Sequence, residues 1–212
     1  MRDVVVTGLG VVAPCGADVP SFWMGLTSGI AVSLAPTSIP DSKLRVAEIV
    51  DLQFLETLPV KAAALDRSAQ FAVTASGEAL TMAGIDAENT DLSRVAVIMG
   101  NGGAGLNTLD EQFHRLYHDG LPRTHPMTVS KSMSSSSASW VSIAHGLKGP
   151  TFVIASACAS GTHAIGIGAE LIKSGMADVA VVGGTEAPLN RGTVLAWESM
   201  RILAPDVCRP FS

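Results

Sequence analysis

One cysteine of this chain stands where a catalytic nucleophile could be placed. Cys158 lies between a short apolar run, residues 152–155, and an apolar pattern of helical period that begins near Ala164. The run has the length of a buried strand, and Gly161 permits a sharp bend ahead of the helix. The sequence therefore predicts a strand-to-helix elbow at which free N–H groups and the helix dipole favour the nucleophilic thiolate.

A simpler interpretation treats the same cysteine as a small core residue. Cysteine is among the residues most often fully buried, and most such thiols are inert. The elbow around Cys158 and the glycines that flank it favour the nucleophile. These residues alone leave both interpretations open.

The glycine-rich segments could suggest a nucleotide site. Gly8-Leu9-Gly10 follows a strand-like run, but the last glycine of a dinucleotide motif is missing and Pro14 prevents an immediate helix. The loop at residues 100–106 lacks the Lys-Ser/Thr ending of a P-loop. We expect neither segment to bind phosphate.

The histidines offer few partners for a catalytic or metal site. His114 and His118 share a helix face, but no third ligand accompanies them in the sequence, so we expect no metal. His145 ends a predicted helix, where a cation suits the dipole. His163 follows Cys158 by five residues, and this spacing points the two side chains to different helix faces, which disfavours a dyad.

The alternation of strand-like and helix-like segments predicts an α/β fold with a mainly parallel sheet. Buried strands are predicted at residues 3–9, 94–99, 152–155 and 178–182. Helices are predicted at residues 21–28, 68–82, 107–118, 127–145 and 162–174, the fourth despite its many serines. The proline-rich residues 31–60 are expected to form loops.

Composition limits the class of protein. The 212 residues are 47% apolar and 16% charged, which is typical of a globular chain with one domain or two small ones. The net charge of −5 gives no basic surface for nucleic acid. Three widely spaced cysteines indicate no disulfide framework. We recognise no signal peptide or membrane span and expect a cytoplasmic protein.

Several segments together carry a resemblance to one family. Residues 157–163, Ala-Cys-Ala-Ser-Gly-Thr-His, resemble the nucleophile motif of the β-ketoacyl-acyl carrier protein synthases, condensing enzymes of the thiolase superfamily. Residues 4–14, 65–67, 70–72, 177–187, 195–206 and 208–212 are also similar to that family, in the same order. Trp197-Glu198 and residues 208–212 resemble the nodulation-type branch, which extends unusual polyunsaturated acyl chains.

This resemblance implies a thiolase-like fold. Residues 1–212 correspond to one domain, the N-terminal ketosynthase half, and the C-terminal half is absent from this chain. In the family that half carries two active-site histidines and one oxyanion donor, while the other donor is the N–H of the nucleophile, here Cys158. We therefore expect this chain alone to be incomplete for condensation.

The activity implied by the resemblance is decarboxylative Claisen condensation in fatty acid or polyketide biosynthesis. Cys158 would accept an acyl group from an acyl carrier protein, and the carbanion of a decarboxylated malonyl unit would then attack the thioester. The implied partners are the carrier protein, a C-terminal half and a second subunit in a homodimer or heterodimer. No cofactor is implied apart from the carrier's phosphopantetheine.

The resemblance also assigns residues to the acyl pocket. Gly103 stands where the family often has a bulky aliphatic gate, so we expect a wider entrance and a preference for longer or unusual acyl chains. Met127, Thr128 and Ser135 belong to the stretch that lines the pocket. Ser135-Ser136 departs from the family's Asn with Met or Ala, which changes the expected pocket shape.

Two arginines match family positions that contact the carrier protein or its arm. These are Arg123 and Arg201, although solvated surface arginines are the simpler alternative. A basic cluster common in the family is largely replaced by alanines at residues 62–64. The carrier is therefore expected to bind differently or to be an unusual one.

Other functions remain open at this point. A non-catalytic chain-length subunit usually lacks the nucleophile, so Cys158 argues against it. A thiolase-type acyl-CoA enzyme shares the fold, but the Thr7-Gly8-Leu9-Gly10 opening and the Arg209-Pro210-Phe211 ending favour the synthases. An isolated half with a structural or binding role would expose a large apolar face. We therefore expect either a missing C-terminal portion or a partner.

Overall fold

A parallel β-sheet lies at the centre of the computed structural model, which describes residues 2–39, 43–204 and 206–207. The three strands are β1 (Val95–Gly100), β2 (Thr151–Ile154) and β3 (Val179–Gly184). Their spatial order is β2-β1-β3, and both pairings of β1 are parallel. The predicted parallel α/β sheet is confirmed.

Helices connect and cover these strands. Within the described residues the α-helices are α1 (Val19–Thr27), α2 (Arg67–Ala83), α3 (Leu106–Tyr117), α4 (Thr128–Ser132), α5 (Ser136–His145), α6 (Ser160–Lys173) and α7 (Arg191–Ser199). Short 3-10 turns occur at Gln53–Thr57, Ala62–Ala64 and Leu92–Arg94. α7 was not predicted, although Asn190 caps it by accepting the N–H of Thr193. None of the described helices has the length and apolar character needed to cross a bilayer.

The core forms on the two faces of β1. On one face, valines and a methionine of β1 pack with α2 and α5, burying the predicted stripe of α2. On the other face, Ala96 and Ile98 pack against Ala164 of α6. The central strand is therefore buried on both sides. At its carboxyl end, Gly100 lies against Ser160 of α6, and its carbonyl accepts the N–H of Thr185 at 3.0 Å.

The predicted N-terminal strand, residues 3–9, is wrong. The segment forms no ladder, and Val5 and Val6 are 74% and 78% exposed. Gly8 lies so close to α2 that a Cβ there would be 2.0 Å from the carbonyl oxygen of Ala79. A cavity separates the segment from the outer edge of β3. Residues 3–9 and the outer edge of β3 therefore do not pair with each other, and no other described residue forms a ladder with that edge. β3 is only half-buried.

The single helix predicted at residues 127–145 is also wrong, because the chain breaks between α4 and α5. Met133 adopts an extended conformation with ψ 136°. The side-chain amide of Asn101 donates to the carbonyl of Ser134 at 2.9 Å, which removes that carbonyl from helical pairing. Gly105 presses on the end of α4, since a Cβ there would lie 2.3 Å from the Cα of Ser132.

His145 ends α5 as predicted, but it is not placed as a cation. Its Nε2 lies 3.1 Å from the carbonyl oxygen of Val73 and 3.2 Å from the Oγ of Ser76. Burial lowers the pKa of the imidazole, and the hydrogen bond to Val73 only partly offsets this effect. The environment of His145 therefore favours the neutral ring.

Candidate active site

The predicted elbow is present, and Cys158 lies on it. β2 ends at Ile154 and α6 begins at Ser160, which leaves five residues for the turn. Ala157 has a φ of 52°, a left-handed conformation that costs a non-glycine residue about 1–2 kcal/mol. The side chain of Cys158 is exposed and makes no hydrogen bond to any described residue. The interpretation of Cys158 as a core residue is therefore wrong.

Ser160 fixes the shape of the elbow. Its buried hydroxyl accepts the N–H of Ser156 at 2.8 Å and donates to the carbonyl of Ala157 at 2.6 Å. Gly100 permits this arrangement, because a Cβ there would lie 2.3 Å from the carbonyl carbon of Ser160. Ser160 is not among the predicted site residues, although a small hydroxyl residue at a helix start is a recognisable signal.

His163 bonds to the elbow rather than to the thiol. Its Nδ1 lies 2.7 Å from the Oγ of Ser156, the residue two positions before Cys158. The expectation that His163 and Cys158 form no dyad agrees with this geometry. The Ser156–His163 hydrogen bond instead ties the first turn of α6 to the end of β2.

The glycine loop after β1 lies against the elbow. A Cβ on Gly102 would be 3.8 Å from the Cα of Ala157. The N–H groups of Gly102 and Gly103 both donate to the Oε2 of Glu186, at 2.7 and 2.9 Å. Successive N–H groups of this kind can bind an anion. Because the chain's own carboxylate fills the position, the loop does not form a phosphate cradle, in agreement with the prediction.

The predicted gate position, Gly103, has a neighbouring side chain that is not among the predicted site residues. Gly103 is half-buried, and a Cβ there would lie 2.7 Å from the Cδ1 of Leu106. Leu106 is the first residue of α3, so its flexible side chain shares the space that a larger residue at Gly103 would need. The wider pocket entrance stays a prediction.

Asn101 joins the serine-rich segment to the elbow. This buried residue donates to the Oγ of Ser137 at 3.2 Å, while its carbonyl accepts the hydroxyl of Ser160 at 3.3 Å. Ser135, one of the predicted pocket residues, is exposed at the cap of α5. The start of α5 is thereby held beside the nucleophile turn.

Met127 and Thr128 lie at the start of α4, away from the break near Ser135. Met127 is half-buried, and its N–H donates to the Nδ1 of His125 at 3.1 Å. Thr128 is buried, and its hydroxyl donates to the carbonyl of His125 at 2.6 Å. These bonds shape the loop ahead of α4, and none of them reaches the elbow.

The two predicted docking arginines are both exposed. Arg123 lies in the loop between α3 and α4, and Arg201 follows α7 with a φ of 56°. Their side chains pair with no residue that the structure describes. The Arg209-Pro210-Phe211 ending and the rest of residues 208–212 lie outside the described residues.

A sequence profile described as "Beta-ketoacyl synthase, N-terminal domain" matches residues 1–212. The chain is 37% identical to Nodulation protein E of Rhizobium leguminosarum bv. trifolii over 222 aligned residues. It is 31% identical to 3-oxoacyl-[acyl-carrier-protein] synthase 2 of Staphylococcus aureus (strain N315) over 219 residues. These alignments cover 100% and 99% of this chain but 53% of each relative, so the chain spans about half their length.

Solved structures show the same architecture. The ishigamide ketosynthase/chain length factor superimposes with a TM-score of 0.86 at 24% identity, covering 98% of this chain and 53% of that one. A type II PKS ketosynthase, in complex with its acyl-carrier protein and bound to the hexaketide, gives 0.82 at 27% identity, covering 98% and 51%. A β-ketoacyl synthase from Burkholderia phymatum STM815 gives 0.81 at 25%, covering 97% and 52%.

Proposed function

The chain belongs to the β-ketoacyl synthase family as its N-terminal, thiolase-like half, and we propose that it carries the nucleophile of a 3-oxoacyl-acyl carrier protein synthase. One observation carries this proposal. Cys158 presents an exposed thiol, without a hydrogen-bond partner among the described residues, on a left-handed turn at the start of α6. A strand-to-helix turn of this kind is how several folds present a nucleophile.

In the proposed loading step, the thiolate of Cys158 attacks the acyl carbonyl carbon of a carrier-bound thioester. A new C–S bond forms, the bond to the carrier's phosphopantetheine sulfur breaks, and that sulfur leaves as a thiolate, which takes up the proton that the Cys158 thiol released on ionising. The N-terminal end of α6 supplies a positive potential beside the negative charge that develops. Ser160 and His163 keep the turn in place while the thiol reacts.

In the proposed condensing step, a malonyl-carrier loses carbon dioxide and its carbanion attacks the Cys158 thioester. A C–C bond forms, the C–S bond breaks, and the β-ketoacyl carrier leaves. No histidine of the described residues hydrogen-bonds to Cys158. We propose that the family's C-terminal half, on the same polypeptide or a companion chain, supplies the histidines for this step.

Exposed apolar side chains support the presence of a covering half or subunit. Ile165 and Ile167 of α6 are 54% and 41% exposed, although α6 carries the nucleophile turn. These two side chains point to different sides of the helix, so apolar surface is exposed on both flanks of α6, where a covering half or subunit would bury it. Denaturing intact-mass analysis of the active preparation tests this: a longer chain or a companion chain supports it, and a single species of this mass that condenses substrates overturns it.

Acyl transfer to Cys158 is the direct test of the proposed function. The protein is mixed with an acyl-carrier protein, quenched and analysed by intact mass. We expect the wild type and Cys15→Ala to gain the acyl mass, and Cys158→Ala to lose at least about a thousandfold in loading rate, as expected when a nucleophile is removed. Unchanged loading of Cys158→Ala would overturn the assignment, whereas a wild type that gains no acyl mass would favour a non-catalytic chain-length subunit.

Carrier-bound acyl groups are the proposed substrates, and no cofactor is required beyond the carrier's phosphopantetheine. The exposed Arg123 and Arg201 are proposed to contact this acidic carrier. Charge reversal by Arg123→Glu should weaken carrier binding, most clearly at low salt. Lys148→Glu is the control, because Lys148 lies ahead of β2, at the opposite end of the sheet from the elbow. Faster loading from acyl-CoA than from the carrier would instead indicate a thiolase-type enzyme.

The acyl chain length is proposed to depend on the space at Gly103. Gly103→Ile should shift the preference toward shorter acyl chains, because the added side chain would have to share its position with Leu106. Leu106→Ala is the complementary change and should favour longer chains. An unchanged chain-length profile in both variants would contradict the proposed gate.

We place the complete enzyme in the cytoplasm, as a homodimer or a ketosynthase heterodimer.

A further inference from the structure

Three side chains with metal-binding atoms meet at the C-terminal end of α3. His114 and His118 are one helical turn apart, and their rings stack with centroids 4.5 Å apart. The Oδ1 of Asp119 lies 3.1 Å from the Nδ1 of His118 and 3.7 Å from the Nδ1 of His114. A third side chain with a metal-binding atom therefore lies beside the two histidines, which the sequence alone does not indicate.

The helix end explains why Asp119 joins the histidines. The N–H of His118 donates to the carbonyl of His114 at 2.8 Å, and the N–H of Asp119 reaches the same carbonyl at 3.3 Å. The chain thus folds back over the last turn of α3. The helical spacing that pairs His114 with His118 does not predict that Asp119 joins them.

The separations between the donor atoms suit a tetrahedral ion. For Zn²⁺ with bonds of about 2.1 Å, the ligand atoms of a tetrahedron lie about 3.4 Å apart. The two distances from Asp119 fall on either side of that value, and all three donor atoms lie within 4.8 Å of one another. All three side chains are exposed, so small rotations can bring the nitrogens together and water can occupy a fourth position.

We propose that His114, His118 and Asp119 form a binding site for a divalent transition-metal ion of the Zn²⁺ type. Two imidazoles and one carboxylate are ligands that suit Zn²⁺, Ni²⁺ and Cu²⁺, whereas Mg²⁺ and Ca²⁺ prefer oxygen ligands. At a rise of 1.5 Å per residue, the two histidines lie about 12 and 18 Å along the helix from Leu106. The bound ion clamps the end of α3 and takes no part in the reaction at Cys158.

The test is a titration of the full-length protein with Zn²⁺ against a chromophoric chelator, after the cysteines have been alkylated. We expect one ion per chain. His118→Gln and Asp119→Asn should each weaken binding by about tenfold or more, since each removes a ligand. His125→Gln is the matched control, because His125 is an exposed histidine outside the cluster, and its affinity should equal that of the wild type.

A second readout separates binding from folding. Each variant is compared with its own unfolding temperature without metal. Zn²⁺ should raise the unfolding temperature of the wild type and of His125→Gln but leave that of Asp119→Asn unchanged. Equal affinities in wild type, His118→Gln and Asp119→Asn would overturn the site. So would a loss of all binding when the cysteines are alkylated, because the thiols would then be the ligands.

Discussion

The Oε2 of Glu186 accepts the backbone N–H of Gly103 at 2.9 Å, across 83 residues of sequence. Gly103 follows β1 and Glu186 follows β3, and these strands are parallel neighbours. Their carboxyl ends therefore open at the same edge of the sheet, beside the turn that carries Cys158. The carboxylate joins the two loops that border the nucleophile.

Removing this carboxylate should loosen the glycine loop. In Glu186→Ala the amide protons of Gly102 and Gly103 lose their acceptor, so we expect them to exchange faster with solvent. The loss should cost about 1 kcal/mol of stability, typical of an exposed hydrogen bond. Hydrogen exchange measured by NMR checks this, with Glu198→Ala on α7 as the control. Glu186→Gln should be intermediate, and unchanged exchange in Glu186→Ala would contradict the role.

Ala157→Gly should stabilise the fold but disorder the nucleophile. Glycine adopts the left-handed conformation of this position without the Cβ penalty, so we expect a gain of up to about 1 kcal/mol in urea unfolding. The freer turn should hold Cys158 less firmly and slow its acylation. Ala159→Gly is the control, because Ala159 has a φ of −85° and should gain no stability. A destabilised Ala157→Gly would show that the turn carries no strain.

Local patterns predicted the parts of this structure that depend on local contacts. The apolar stripe on α2 and the apolar run of β1 correctly predicted a helix and a strand. In each case the residues that the core buries follow one another in the sequence at the spacing of that element. The run at residues 3–9 has similar composition but forms no strand, since a ladder also requires a neighbouring backbone. The break before α5 depends on Asn101, more than 30 residues away, and no local pattern contains it.

The candidate site also contains some residues that local sequence patterns predict and others that they do not. Cys158 and its elbow were predicted, because the strand, the bend and the helix follow one another in the sequence. Glu186 and Leu106 were missed, since they reach the glycine loop only through the sheet topology and the start of α3. Asp119 was missed because it lies past the end of the helical pattern that pairs the two histidines.

Two glycines of α6 should respond oppositely to the same substitution. A Cβ on Gly168 would lie 2.3 Å from the Cγ1 of Val182, so Gly168→Ala should cost about 1–3 kcal/mol through overpacking against β3. A Cβ on Gly166 meets nothing within 4 Å, so Gly166→Ala should stabilise the helix by about 0.5–1 kcal/mol. Urea unfolding of both variants measures the contrast. Equal effects would contradict the packing of α6 on the sheet.

His145 should make the stability depend on pH near neutrality. Burial lowers the pKa of His145 in the folded state below its ordinary value of 6.5, so the unfolded chain takes up this proton first. The free energy of unfolding should therefore fall as the pH drops below about 6.5, and level off below the folded-state pKa. Thermal unfolding between about pH 5 and 8, the range in which histidine titrates, measures this dependence.

His145→Gln isolates that contribution, because glutamine can still donate to the Val73 carbonyl but does not titrate. We expect a weaker dependence of stability on pH in this variant. His125→Gln is the control, because it replaces an exposed histidine outside the contact between α5 and α2. If the stability of His145→Gln depends on pH as strongly as that of the wild type, the dependence arises from another group. The burial of a neutral His145 ring between α5 and α2 would then not be its cause.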